Sequence, residues 1–64
     1  MTVAELILRL ADHHIRKIHI RKYDMDYWPQ GAEIKIFENE EVFHWMLAYE
    51  RGELVLTITL QERQ

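Results

Sequence analysis

Val42-Phe43-His44-Trp45-Met46-Leu47-Ala48-Tyr49-Glu50-Arg51-Gly52-Glu53-Leu54-Val55-Leu56-Thr57-Ile58-Thr59-Leu60 alternates large apolar residues with smaller or polar ones on both sides of Arg51-Gly52. Alternation of period two around a short glycine-containing turn is the mark of a β-hairpin. A turn at Arg51-Gly52 pairs Tyr49 with Leu54, Leu47 with Leu56, Trp45 with Ile58 and Phe43 with Leu60. Working backward, a second turn at Asn39-Glu40 pairs Phe37 with Val42, Ile36 with Phe43 and Ile34 with Trp45. The two registers agree, and a slip of one residue in either would mix the faces. Strands are therefore expected at 32–38, 41–50 and 53–61.

Segment 40–51 also carries helix signals. Asn39 suits a cap, Glu40 and Glu41 suit a first turn, and Gly52 suits a stop; Val42, Trp45, Met46 and Tyr49 form a stripe at helical spacing. The strand reading is preferred because a helix leaves the alternation of Phe43, Trp45, Leu47 and Tyr49 without a cause. The alternative fold has a second helix at 40–51 and three strands.

The chain opens with a helix. Thr2-Val3-Ala4-Glu5 is a capping box, with Met1 and Leu6 placed for a hydrophobic staple. Val3, Leu6, Ile7 and Leu10 form one apolar stripe, and the helix should end between Asp12 and His14. Residues 15–23 change to period two, with Ile18 and Ile20 on one side and Lys17, His19, Arg21 and Tyr23 on the other. A loop punctuated by Pro29 and Gly31 is expected over 24–31. The expected fold is α+β: a single domain, 1–64, with the N-terminal helix on a four-stranded antiparallel meander. The expected core joins Leu6, Ile7 and Leu10 to Ile18, Ile20, Ile34, Ile36, Phe43, Trp45, Leu47, Tyr49, Leu54, Leu56, Ile58 and Leu60.

Sixty-four residues lie near the lower limit for a domain that folds alone, and the absence of cysteine removes disulfides and thiolate metal sites. Glu5, Arg9 and Asp12 interrupt the apolar residues near the start, so no signal peptide is read, and no apolar run approaches a membrane span. These features predict a cytoplasmic protein with no membrane association. Met1 without tag or linker is what a complete chain would show.

The net charge of −3 is unevenly spread. Residues 13–22 hold Arg16, Lys17, Arg21, Lys22 and three histidines with no acid, whereas 24–64 hold nine acids against Lys35, Arg51 and Arg63. The basic strand is either a solvated edge balanced by acidic neighbours or a stripe that meets phosphates or an acidic partner.

Catalytic signatures are missing. The chain has no serine or cysteine; Thr2 is used in capping, and Thr57 and Thr59 follow from strand propensity. Two isolated glycines, Gly31 and Gly52, make no phosphate loop. His13, His14, His19, Asp24 and Asp26 are ligand types that zinc accepts, but their spacing fits no metal motif, and no metal or other cofactor is expected. The histidines His19 and His44 are read as surface residues of a sheet rather than general bases. The chain is thus expected not to be an enzyme.

Binding remains. Tyr27-Trp28-Pro29 lies in a loop, where large aromatics suit a protein interface, and Trp28 either caps one end of the core or points outward as an anchor. Lys17, His19, Arg21, Tyr23, Tyr27 and Trp28 are the expected partner-binding residues. The same set mixes cations with stacking aromatics, so nucleic acid is the second candidate partner, against an overall acidic balance. Phe37, Val42, Met46 and Val55 are expected on the sheet face away from the helix, where they would form the face of a homodimer.

Met1-Thr2-Val3-Ala4-Glu5-Leu6-Ile7 resembles the opening of small phage and prophage proteins with a Met-Thr-Val-x-Glu-Leu start, and the segment Lys35 to Val42 is similar in style. The basic strand and the Tyr-Trp-Pro loop stand outside that pattern. The resemblance implies a helix followed by antiparallel strands, in a small accessory protein of a phage or mobile element. Inhibitors of host proteins fall in this size class. It carries over no functional residue. The expected function is a non-enzymatic protein-interaction module, an accessory factor or inhibitor; the alternative is a small nucleic-acid-binding protein that uses its basic first strand.

Overall fold

The computed structural model describes residues 1–62. Helix α1 (Val3–Arg9) is followed by a 3-10 turn (Ala11–His13), β1 (Lys17–Lys22), β2 (Met25–Tyr27), a 3-10 helix (Gly31–Phe37), β3 (Val42–Glu50) and β4 (Glu53–Leu60). The strands form one sheet in the order β2-β1-β4-β3. The α+β class agrees with the sequence, but the expected meander does not occur. β1 lies beside β4 and parallel to it, with Ile18 opposite Leu56 and Ile20 opposite Ile58, so the sheet is mixed.

Two local readings explain the difference. Residues 32–38 are not a strand. The Glu33 N–H donates to the Gln30 carbonyl and the Gln30 N–H to the Glu33 carboxylate, which starts a helical segment directly after Pro29. Its near-threefold period puts Ile34 and Phe37 on the inner side and leaves Ile36 74% exposed. Alternation of Ile34 and Ile36 fits a strand, yet the core takes Phe37 from this segment, with Ile34 half-buried one turn before it. The hairpin at Asn39-Glu40 therefore does not form. Second, part of the expected loop is β2, joined to β1 through Tyr23-Asp24 with Lys22 opposite Met25. Tyr23 adopts a left-handed φ of 55°, an uncommon choice for a bulky residue, so the turn carried no usual sequence signal.

The hairpin at Arg51-Gly52 forms as read, and the helix alternative for 40–51 is overturned. Tyr49 pairs with Leu54, Leu47 with Leu56 and Trp45 with Ile58. A register shift between Val42 and His44 brings Val42, not Phe43, opposite Leu60. Phe43 is 74% exposed as a result, and Tyr49, near the hairpin end, is also exposed.

The capping box at Thr2 is present: the Thr2 N–H donates to the Glu5 carboxylate at 3.1 Å, and the Glu5 N–H to the Thr2 hydroxyl at 3.3 Å. The next amides, those of Val3 and Ala4, donate to the carbonyls of Glu40 and Glu38. The orphan donors of the first turn thus tie α1 to the segment that leads into β3. At its other end the helix gives way to the 3-10 turn, and His14 takes the left-handed conformation that a glycine would usually supply. Val3, Leu6 and Leu10 pack with Ile20, Phe37, Leu56, Ile58 and Leu60, flanked by Ile7, Ile15, Ile18, Val42 and Leu47.

The hydrogen bonds from the Thr2 backbone and hydroxyl hold the Glu5 carboxyl below its ordinary 4.5. A carboxyl with a lowered folded-state pKa adds stability above its unfolded value and loses it as pH falls through the folded one. Glu5→Gln should therefore flatten the fall in thermal stability below about pH 4.5. Melting curves of the two proteins with the same acid slope would show that the box carries no charge-dependent stability.

Candidate functional site

The registers define the open face of the sheet row by row. Arg21 lies beside Thr59, which is opposite His44; His19 lies beside Thr57, opposite Met46; Lys17 lies beside Val55, opposite Ala48. On β2, Asp26 sits opposite Arg21. Alternation through Tyr27 brings Trp28 to the same face, next to His19.

There the two rings stack. The centroids of His19 and Trp28 are 4.3 Å apart with planes 7° from parallel. The His19 Nε2 stands 2.8 Å from Asp26 Oδ1, so the imidazole is held at its edge by the carboxylate and on one face by the indole. Asp26 also accepts from Arg21 Nε at 3.3 Å. Trp28 remains 51% exposed and does not cap the core; Tyr27 does that, packing at the opposite face against Phe37 with ring centroids 5.2 Å apart. Tyr23 stands in the β1–β2 turn, where its positive φ breaks the alternation that was expected to align it with Arg21. Of the expected binding residues, the fold therefore brings together Lys17, His19, Arg21 and Trp28, and places Tyr23 and Tyr27 elsewhere.

Charge is distributed just as selectively. Lys22 is paired with Glu40, and that hydrogen bond raises its pKa above the ordinary 10.5. Arg21 and His19 share Asp26. Arg16 and Lys17 have no ion pair among the described residues. Both line a hollow of about 540 Å³ with Ile15, Trp28, Pro29 and Ile34. Lys17 and Trp28 also wall a second hollow, of about 320 Å³, with Arg51, Val55 and the carboxylates Glu50 and Glu53, and Glu53 reaches the first hollow as well. Trp28 thus stands as a ridge between two recesses with Lys17 at its side. Neither hollow is lined by His19, whose ring is already occupied.

The expected dimer face does not exist as a unit. Phe37 is in the core through the 3-10 helix, and Val42 packs against that core. Val55 lies on the open face but is only 2% exposed, at the floor of the second hollow. Met46 alone of the four is exposed there, at 51%. Among the described residues no group of three or more potential ligands is placed to hold a metal ion, and no helix is long and apolar enough to cross a membrane.

The sequence reading left Asp26 and Arg16 out of the binding set. In a hairpin turning at Tyr23-Asp24, residues 19 and 26 share a face and are diagonal neighbours, but the left-handed Tyr23 that makes this turn gives no sign of it in the sequence. No family model, curated protein or solved structure matches the chain.

Proposed function

We propose that the protein is a non-enzymatic protein-interaction module that binds a partner through Trp28 and the mixed-charge recesses beside it. The observation that carries this reading is the half-exposed indole already immobilised on His19. An anchor fixed before binding loses little conformational freedom on association, and tryptophan is the residue type most enriched among interface hot spots. Arg16 and Lys17 add positive charge beside it that has no ion pair among the described residues. The partner best suited is a protein surface that offers an apolar side chain to the recesses flanking Trp28 and a carboxylate to Lys17. In a chain this short, such a module acts as an accessory factor or as an inhibitor that occupies a surface of its target.

The nucleic-acid reading is weaker because the basic strand is largely spent. Lys22, Arg21 and His19 already hold carboxylates, which leaves Arg16 and Lys17 for phosphates. Two contacts give a salt slope of only about −2 on duplex DNA, too shallow for useful affinity at physiological ionic strength.

The test uses the immobilised full chain as bait in an extract of its native host, beside Trp28→Ala and Lys17→Glu baits. Trp28→Ala should leave the fold intact and weaken capture of a specific protein by roughly 30-fold, the scale of a 2 kcal/mol hot spot. Equal retention by wild type and Trp28→Ala would refute the site. Retention of nucleic acid that is lost with Lys17→Glu would select the alternative.

A further inference from the structure

The outer edge of β3 is long and, from Phe43 to Tyr49, free of carboxylate and Lys or Arg side chains. The N-terminal segment covers its beginning: the Val42 N–H donates to the Met1 carbonyl, and Thr2 bridges to Glu41. Beyond that point, no strand among the described residues pairs with Phe43–Glu50 on the side away from β4. From Phe43 to Tyr49 there is no Lys, Arg, Asp, Glu, Pro or Gly. Edge strands are normally protected by such residues, by bulges or by shortness, and the register shift here lies at the covered end. The opposite edge, β2, is by contrast three residues long.

The turn tells which backbone groups face outward. Arg51 and Gly52 both have positive φ, as in a two-residue type I′ turn, whose closing pair Glu50–Glu53 is hydrogen-bonded. Antiparallel alternation then directs the N–H and C=O groups of His44, Met46 and Ala48 toward β4. Those of Trp45, Leu47 and Tyr49 point away from the sheet.

We infer that this edge pairs with the same edge of a second copy, antiparallel and with Leu47 at the two-fold axis, to make one continuous eight-stranded sheet. The register follows from what each choice places opposite what. With Leu47 on the axis, Trp45 meets Tyr49 of the second copy, His44 meets its Glu50, and Phe43 meets its Arg51. Trp45 and Tyr49 lie on the helix side of the sheet, 38% and 76% exposed, and form a cross-strand aromatic pair in each half. On the open face, Glu50 is directly opposite Glu53 within its own hairpin, an unfavourable like-charge pair. There a ring N–H of the second copy's His44 is a hydrogen-bond donor for the Glu50 carboxylate. Centring on Met46 instead puts Glu50 against Val42, whose amide is already used by Met1. Centring on Ala48 leaves Phe43 and His44 without partners. Only the Leu47 register uses the whole open run, ends where the N-terminal cover begins and opposes unlike side chains at both ends.

Sedimentation equilibrium and amide exchange on the full chain test this together. The expected result is a mass twice 7.8 kDa at micromolar concentration, with the amides of Trp45, Leu47 and Tyr49 protected and their protection lost on dilution. Tyr49→Lys, at a position that stands clear of the core, should weaken dimerisation more than tenfold without unfolding the monomer. Glu50→Arg should weaken it about tenfold, since each dimer contains the pair twice, and His44→Glu in the same chain should restore it. A monomer mass at high micromolar concentration overturns the proposal. So does a dimer in which those three amides exchange freely, since that dimer would pack through sheet faces. Failure of His44→Glu to rescue Glu50→Arg overturns the register and the proposal with it. None of these outcomes bears on Trp28, which takes no part in the pairing.

Discussion

Ile58→Ala is expected to lower stability by about 2–5 kcal/mol, the range for truncating a fully buried aliphatic side chain. Ile58 is 0% exposed and sits on β4, opposite Trp45 on one side and beside Ile20 on the other. The cavity would open at the seam where helix, both central strands and Phe37 converge, with rigid neighbours that cannot collapse into it. A domain of this length has roughly 3–10 kcal/mol of total stability at ordinary per-residue values. The substitution should therefore leave a large unfolded fraction at 25 °C or abolish the cooperative transition. Urea denaturation followed by tryptophan fluorescence measures it. A loss below about 1 kcal/mol would mean that Ile58 is not central to the packing.

Phe37→Ala should cost about 3–5 kcal/mol, and it separates two folds. With 32–38 as a strand, Phe37 would point to the open face and its loss would matter little. In the 3-10 helix, Phe37 is the buried side chain of the segment, 8% exposed and packed on Tyr27. Its removal should release Gly31–Phe37 from the sheet. Amide protection of Glu38 and Glu40, whose N–H groups donate back to Lys35 and Phe37, should fall first. Phe37→Leu keeps most of the volume and should retain a cooperative transition. Near-wild-type stability of Phe37→Ala would support the strand reading.

The comparison of sequence with structure is instructive residue by residue. The capping box and the hairpin at Arg51-Gly52 were legible because each is specified by contacts within a few residues. The 3-10 helix was not. Ile34, Ile36 and Phe37 satisfy a strand pattern as well as a threefold one, and tertiary contact with Tyr27 decides between them. The parallel neighbour of β1 was also hidden, since Ile18 and Ile20 alternate identically whether β4 or a preceding strand lies alongside. The candidate site shared this fate in part. Trp28 and Lys17 were named from composition, but the stack on His19 and the pairing of Arg21 with Asp26 depend on a turn whose left-handed tyrosine announces nothing.

The place of β4 has a bearing on how the molecule comes into being. β4 is the last strand to be made, yet it stands inside the sheet, with β1 on one flank and β3 on the other. On the ribosome, the flank of β1 that meets β4 must therefore stay open until Glu53–Leu60 has emerged. Residues 17–21 then find 55–59 across most of the polypeptide. Closing so long a loop before any reward is slow, and it exposes strand edges meanwhile. The sheet is consequently completed only once Glu53–Leu60 has been made, and a chain cut before Glu53 keeps the bonds from α1 to the segment before β3 but lacks the strand that stands between β1 and β3.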